Sequence, residues 1–458
     1  MKVVICGAGQ VGFNIAKALA RERNDVVVID KSEDLIRKIS DTLDVQAITG
    51  FASYPDVLER AGTGDADMLI AVTYADEVNM VACQVAGALF NVPKKIARVR
   101  NQTYLDPIYA DIFTSNNLGI DVVISPEIEV AQAVRRGLRV PGAFDVIPLA
   151  EGQAQAVGVR CNQDCPVVDT PLRQLTSLFP ELNIVVTLVV RNGKGFVPSA
   201  DDHLVAGDDV YFVAPTAKVA RALAAFGHEE REARRIVVVG GGNIGLSLVR
   251  ELETDLSGAN IKLIEYDPER AKAVAGALKR TVVIQGDGLD TEILEEAGVK
   301  LAEAVVAVTN DDETNILASL LAKRIGAGRA VTLVNKPVYE PLVPNLGIDT
   351  VISPRATTVS TILEHVRRGR IRGVHSLRND CGEIIEGEAL QTSGLIGKPL
   401  REIDLPEGSI IGAVVRDADI VMPRGDTVIK LGDRVVIFAL PPAIKKVERL
   451  FAVRLEYF

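Results

Sequence analysis

Short apolar runs, each closed by a glycine or an acid, set the rhythm of the chain. Val3-Val4-Ile5-Cys6 and Ile236-Val237-Val238-Val239 have strand length and are rich in β-branched residues. Each leads through a glycine-rich turn into a stretch of helical pattern, Phe13 to Glu22 and Leu246 to Glu253. A second run follows and ends in an acid, Val26-Val27-Val28-Ile29-Asp30 in one place and Ile261-Lys262-Leu263-Ile264-Glu265 in the other. Strand, turn, helix and strand in that order predict βαβ units and a doubly wound parallel sheet. Farther on, Ile184 to Val190 and Val210 to Val213, and likewise Ile410 to Val415 and Val435 to Phe438, are β-branched runs parted by Gly and Asp turns. With a final amphipathic helix they predict small α+β domains. The segments Pro126 to Arg139 and Pro354 to Arg372 have a helical pattern and join the larger units to the smaller ones.

The recurrences amount to an internal duplication. Gln46-Ala47-Ile48-Thr49-Gly50 returns as Val282-Val283-Ile284-Gln285-Gly286, and Ile70-Ala71-Val72-Thr73 as Val306-Ala307-Val308-Thr309. Asp76-Glu77-Val78-Asn79 returns as Asp312-Glu313-Thr314-Asn315. Leu118 to Pro126 returns as Leu346 to Pro354. The tails match more faintly, through Pro198, Asp202 and Gly207-Asp208 against Pro423, Asp426 and Gly432-Asp433, an alignment that sets His203 opposite Thr427. The charged stretch Gly227 to Arg235 reads as the linker between halves. The expected organisation is a Rossmann-like domain at 1–140, a small domain at 141–228, a second Rossmann-like domain at 234–370 and a second small domain at 371–458.

Both turns carry the pattern GxGxxG between a strand and a helix, the context in which it binds a dinucleotide. Gly7 and Gly240 allow the tight turn, Gly9 and Gly242 let the backbone approach a pyrophosphate, and Gly12 and Gly245 permit close helix–strand packing. The helix start then offers unpaired N–H groups to the anion. Neither loop has the Lys-Ser/Thr of a Walker A motif, which disfavours a P-loop ATPase. Asp30 and Glu265 stand where a carboxylate accepts ribose hydroxyls and repels a 2′-phosphate, favouring NAD(H) or ATP/ADP over NADP. Gly50-Phe51-Ala52-Ser53, matched by Gly286-Asp287-Gly288, and Thr73 with Asp76 and Asn79, matched by Thr309 with Asp312 and Asn315, lie at strand ends that border a ligand in such sheets. The competing reading of these residues is turn and N-cap chemistry, and the duplication copies scaffold and site alike.

Composition narrows the function further. With 458 residues, 48% hydrophobic and 24% charged, the chain has ample core for several domains. A net charge of −10 argues against a broad nucleic-acid surface, and pairs such as Arg135-Arg136 and Arg367-Arg368 are too short to supply one. The cysteines Cys6, Cys83, Cys161, Cys165 and Cys381 are odd in number and form no metal-binding pattern, so free thiols, a reducing compartment and no metal are expected. No apolar run approaches the roughly 18 residues of a membrane span, and Gly7 interrupts the N-terminal run too early for a signal peptide. An intracellular protein is expected. An NAD-dependent oxidoreductase is the alternative function. It would need an acid or base beside the nicotinamide, and His203, His228, His365 and His375 are scattered outside the strand ends where catalytic groups collect. No catalytic residues are therefore assigned.

Gly7-x-Gly9-Gln10-Val11-Gly12, Ala66 to Thr73, Asp76-Glu77-x-Asn79-Met80-Val81-Ala82-Cys83-Gln84 and Ile96-Ala97-Arg98-Val99-Arg100 together resemble the tandem-RCK (KTN/TrkA-C) family, the TrkA-type regulators of Trk potassium uptake. The resemblance runs along nearly the whole chain. It implies that each Rossmann-like domain is followed by a small TrkA-C (RCK-C) domain. It further implies a cytoplasmic regulatory subunit, peripheral on the inner face of the cell membrane, assembling as a homotetramer ring under a membrane K⁺-translocating Trk subunit (TrkH/TrkG-like). NAD(H) and ATP/ADP would occupy its clefts and bias a gating ring. By position, Gly7, Gly9, Gln10, Val11 and Gly12 would meet phosphates and Asp30 the ribose, with Thr73 and Arg98 also reaching the nucleotide. In the second half the matching residues are Gly240, Gly242, Asn243, Ile244, Gly245, Glu265, Asp287 and Thr309. Leu333 stands opposite Arg98, so the expectation is two unequal clefts, with ATP/ADP favouring the first and NAD(H) suited to both.

Overall fold

A computed structural model describes residues 1–21, 24–179, 182–230, 232–340, 342–366, 371–377, 381–391, 393–417 and 419–451. The first sheet is parallel and six-stranded, built from β1 (Lys2–Cys6), β2 (Asp25–Asp30), β3 (Gln46–Thr49), β4 (Met68–Ala71), β5 (Lys94–Arg98) and β6 (Val122–Ile124). Its order, β3-β2-β1-β4-β5-β6, reverses between β1 and β4 and opens a crevice there. Residues alternate between two buried faces. Val3 and Ile5 pack with α1 (Gln10–Arg21) and α2 (Glu33–Thr42), while Val4 and Cys6 pack with α3 (Pro55–Arg60) and α4 (Asp76–Phe90). Burial on both sides explains why these strands read as continuous apolar runs instead of alternating ones.

Helix α5 (Pro126–Arg139) leads to an antiparallel sheet of β7 (Ala143–Leu149), β8 (Ala154–Arg160), β9 (Val185–Arg191), β10 (Lys194–Phe196) and β11 (Asp209–Pro215). Helices α6 (Leu172–Leu178) and α7 (Val219–Ala225) accompany it, and the strand order is β10-β9-β11-β8-β7.

The second half repeats both sheets. Its parallel sheet contains β12 (Arg235–Val239), β13 (Asn260–Glu265), β14 (Val282–Gln285), β15 (Ala304–Ala307), β16 (Ala330–Leu333) and β17 (Thr350–Ile352), in the order β14-β13-β12-β15-β16-β17. Its helices are α8 (Asn243–Asp255), α9 (Pro268–Ala277), α10 (Thr291–Glu296), α11 (Asp312–Ile325) and α12 (Pro354–Val366). The small sheet has β18 (Ile371–Ser376), β19 (Glu383–Glu388), β20 (Ser409–Arg416), β21 (Asp419–Val421) and β22 (Arg434–Ala439), closed by α13 (Ile444–Leu450). Its order, β18-β19-β22-β20-β21, mirrors that of the first half strand for strand. The fold is thus α/β and duplicated, each Rossmann-like sheet followed by a small α+β unit.

Three sequence expectations need correction. The helix expected to run from Pro354 to Arg372 is described only to Val366. Arg367 to Arg370 lie outside the described residues, and Ile371 and Arg372 already belong to β18, where Ile371 pairs with Gly387. Helix α1 begins at Gln10, ahead of Phe13, because the Gly9 carbonyl accepts from the Phe13 N–H at 2.8 Å; Glu22 lies outside the described residues. In the small domains Pro171 bridges His203 as Pro399 bridges Val428, so the counterpart of His203 is Val428 and not Thr427.

The joining helices are exchanged between halves. Val130, Ala131, Val134 and Leu138 of α5 enter the core of the second parallel sheet, beside Leu248, Val249 and Leu252 of α8. Reciprocally, Ile362, Leu363 and Val366 of α12 enter the core of the first sheet, beside Ile15 and Leu19 of α1. Arg135 reaches back to Glu251 at 3.2 Å and to Asp255, and Thr361 donates to Glu129 at 3.2 Å. The two small sheets also share one core, in which Leu188, Tyr211 and Val213 meet Ile384, Ala413 and Phe438. Neither half completes its hydrophobic core alone.

Candidate functional site: two glycine-loop clefts

Each parallel sheet ends at β1 or β12 in a loop whose glycines are needed for different reasons. Gly7 and Gly240 have φ of 114° and 106°, a region that side chains other than glycine rarely adopt. Gly12 and Gly245 lie under the loop: a Cβ there would come within 1.8 Å of the Gly7 carbonyl oxygen or 2.0 Å of that of Gly240. Gly9 and Gly242 face open space, with nothing within 4 Å of an added Cβ. Gln10, Val11, Asn243 and Ile244 form the first helical turns of α1 and α8, where N–H groups point out along the helix axis. The concave floor, the open middle glycine and the helix start together fit a diphosphate.

The strand-end acids are wired to these loops. Asp30 Oδ2 accepts from the Ala8 N–H at 2.7 Å and Oδ1 from the Ser32 N–H at 2.9 Å. Glu265 does the same with Gly241 at 2.7 Å and Asp267 at 2.9 Å. Each oxygen keeps a further lone pair for a ribose hydroxyl, and the backbone bonds hold the carboxylate next to the phosphate seat.

Thr73 and Thr309 close the other side of each loop, and a Cβ on Gly7 would stand 2.9 Å from the Thr73 nitrogen. Their position is enforced by a buried asparagine. Asn79 Oδ1 accepts from the Thr73 N–H at 2.8 Å, while its Nδ2 donates to the carbonyls of Thr73 (3.1 Å) and Arg98 (2.9 Å). Asn315 repeats the clamp with Thr309 and Leu333. Asp76 accepts from the Arg100 and Asn101 N–H groups at 3.0 and 2.8 Å, and Asp312 from those of Asn335 and Lys336. Asp76, Asn79, Asp312 and Asn315 are all buried. They brace the crevice from behind by bonds between strand ends, while the N-cap positions of α4 and α11 are Ala75 and Asp311.

The matched clamps make Arg98 and Leu333 structurally equivalent. Arg98 donates through Nη2 to the Thr73 carbonyl at 2.7 Å, and its buried Nε has no hydrogen-bond partner. Burial, and then the charge of Arg100, lower its pKa from the ordinary arginine value. Leu333 is packed into the core at 2% exposure. Sequence reasoning missed a second asymmetry. Arg270, on the first turn of α9, donates through Nε to the Gly241 carbonyl at 2.7 Å and so lies across the second loop. Its signal was an arginine five residues after the strand-end acid Glu265, a place where the first half has Leu35.

At the end of β3 the clefts differ again. Phe51 is exposed and stacks on Tyr54, with ring centres 5.1 Å apart. The second half has Asp287 there, whose Oδ1 accepts from the Leu289 N–H at 2.9 Å.

The remaining candidate groups lie elsewhere. His365 sits on α12, His375 on β18, and His203 and His228 beside the small domains, all away from the glycine loops. Cys161 and Cys165 are buried in the first small domain, where the neighbouring Cys165 and then burial push the Cys161 thiol pKa up. Among the described residues no cluster of three His, Cys, Asp or Glu is arranged to hold a metal, and no helix is long and apolar enough to cross a membrane. A cavity of about 1600 Å³ lies between the halves, away from either loop, lined by Lys17, Arg136, Arg160, His228, Arg355 and Glu364. It reflects the way the halves meet.

Comparison with known proteins agrees with this architecture. The TrkA-N domain family matches residues 3–126 and again 236–354, and the TrkA-C domain family matches 389–452. A Trk system potassium uptake protein TrkA from Azorhizobium caulinodans is 54% identical over 458 residues, covering all of both chains. The protein of the same name from Halomonas elongata is 42% identical, again over the whole of both. Among solved structures, the GsuK RCK domain superposes with a TM-score of 0.58 at 18% identity, over 99% of this chain and 95% of that one. The GsuK channel bound to NAD gives 0.60 at 18% identity, over 99% of this chain and 79% of that one.

Proposed function

The chain belongs to the TrkA family of Trk system potassium uptake proteins, and from that premise we propose that it is the nucleotide-sensing regulatory subunit of a potassium transport system. It works in the cytoplasm as a homotetrameric ring against a membrane K⁺-translocating subunit (TrkH/TrkG-like). NAD(H) and ATP/ADP share the two glycine-loop clefts. Gly9, Gln10 and Val11, with Gly242, Asn243 and Ile244, take the diphosphate, Asp30 and Glu265 the ribose, and Arg98 further phosphate oxygens in the first cleft. The NAD-bound channel of the same fold agrees with that ligand class.

One observation carries the regulatory reading. The helix leaving each nucleotide sheet is built into the core of the other half. A ligand that favours one position of α5 or α12 therefore moves the opposite unit, provided it binds the two arrangements with unequal affinity. Titration of the purified full chain with NADH, NAD⁺, ATP and ADP in a calorimeter, with mass followed by light scattering, tests it. Saturable binding by a tetramer is expected. Absence of binding by any of the four would overturn the reading.

A further inference from the structure

We propose that Phe51, backed by Tyr54, is a stacking platform for the nucleotide base in the first cleft, whereas the second cleft holds the base edge through Asp287. The proposal rests on the nucleotide-cleft reading above and specifies how each cleft recognises the base.

The position follows from strand order. The diphosphate seat is at the end of β1 and the ribose acid at the end of β2, so a bound nucleotide extends toward β3. Thr49 pairs with Asp30 across that step, and the Gly50 N–H donates to the Asp30 carbonyl at 2.9 Å. Phe51 is the next residue. It stands at the end of β3, two strand spacings of about 4.8 Å from β1 and its glycine loop, the side toward which a base would extend.

Packing does not account for the ring. Its neighbours Ala52, Val57 and Leu58 enter the core, yet Phe51 and Tyr54 stay 48% and 52% exposed and belong to no core cluster. The backbone fixes the pair: the Tyr54 N–H donates to the Phe51 carbonyl at 3.0 Å, and Tyr54 caps α3 ahead of Pro55. Phe51 is therefore a preset aromatic face with its partner already stacked, at 27° between planes. Every base has a π-face, so such a platform tolerates different bases.

The second cleft places different chemistry at the same point. Gly286 repeats the hydrogen bond of Gly50, donating to the Glu265 carbonyl at 2.9 Å, and the following residue is the exposed Asp287. A carboxylate accepts from an exocyclic amine, which adenine has and guanine does not present on the same edge. Selectivity for adenine should follow there and not in the first cleft.

The test uses the full chain with one cleft closed at a time. Gly242→Asp places a carboxylate in the second phosphate seat without steric conflict, and Gly9→Asp does so in the first. In the Gly242→Asp chain, ATP and GTP should bind within about threefold of each other, and Phe51→Leu should weaken both about tenfold, the scale of base–aromatic stacking. In the Gly9→Asp chain ATP should be preferred, and Asp287→Asn should reduce the preference. The sequence contains no tryptophan, so Phe51→Trp adds a single reporter. Its fluorescence should be quenched by ATP but not by inorganic pyrophosphate. Unchanged ATP affinity in the Phe51→Leu chain, or equal response of the tryptophan to ATP and pyrophosphate, would overturn the platform. Undiminished ATP binding in a chain that carries both Gly9→Asp and Gly242→Asp would instead count against the nucleotide-cleft reading itself.

Discussion

Single residues divide into those that would touch a nucleotide and those that hold the crevice in shape, and substitution should separate them. Asn79 makes its hydrogen bonds at 0% exposure, so Asn79→Ala removes the partner it gives to the half-buried Thr73 N–H and Arg98 carbonyl. Such a change costs roughly 2–4 kcal/mol. The expected outcome is a lower melting temperature in nucleotide-free protein, and Asn315→Ala should behave alike. Arg98→Leu is the opposite case, because the second half already carries leucine at the equivalent strand position. It should leave the melting temperature within a few degrees while lowering ATP affinity of the Gly242→Asp chain about tenfold, the value of one charge-assisted contact to phosphate. An unchanged affinity in calorimetry would remove Arg98 from the site. The glycines and the strand-end acids were legible in the sequence because their offsets within one strand–turn–helix are fixed by covalent geometry. Phe51 was legible as a strand-end position, but Arg270 and the stacking of Tyr54 on Phe51 were not, since Arg270 and Tyr54 stand at helix starts whose approach is set by packing.

At the scale of elements, one half-buried histidine of β18, His375, ties together α12, β19 and the neighbouring small domain. Burial alone would push the His375 pKa down, but Glu364 at 3.0 Å and Glu386 at 3.4 Å overcome it and raise it to about 9. Glu386 also accepts from the Ala150 N–H of the first small domain at 3.0 Å, and Arg434 stands 4.0 Å from it. The sign of the pH dependence follows. A folded pKa above the ordinary 6.5 means that the protonated form stabilises the fold. Its contribution, on the order of 3 kcal/mol, is complete below pH 6.5 and is lost as pH rises through about 9. The melting temperature should therefore fall across that window, and His375→Gln should flatten the fall. A slope identical in wild type and variant would show that His375 does not report on this junction. The partner helix gives a packing counterpart. Leu138 of α5, 1% exposed, is seated in the core of the second sheet, and Leu138→Ala should cost about 2–5 kcal/mol. That loss should show as earlier unfolding of the second nucleotide unit in hydrogen exchange, though the substitution is in the first half of the sequence.

The whole molecule is where sequence reasoning stopped. Periodicity and the ordered repeats reveal two copies of one unit, because each strand and helix is written locally. They say nothing about which copy a helix joins: the apolar stripe of α5, Val130, Ala131, Val134 and Leu138, suits either parallel sheet, and only tertiary packing chooses the other half. The same ambiguity hides the shared core of the small sheets, where Gly412 admits the approach of Val213, a Cβ there standing 2.9 Å from it. The exchange carries a consequence for any attempt to study the clefts apart. A chain ending at Glu230 retains α5 without its partner α8 and lacks α12, so it exposes Leu138 and Val134 and leaves Ile15 and Leu19 uncovered. A chain beginning at Glu232 has the reciprocal defects. Because the halves share one fold, each uncovered surface resembles the one its missing partner would have filled. The expected result in analytical ultracentrifugation is that neither half alone is monomeric, each pairing with itself or aggregating. Co-expressed halves should elute together in equal amounts and recover ATP and NADH binding. A single half that sediments as a monomer and melts at the temperature of the full chain would show that the exchanged helices contribute nothing to the core, and with that the route from one nucleotide cleft to the opposite half would be lost.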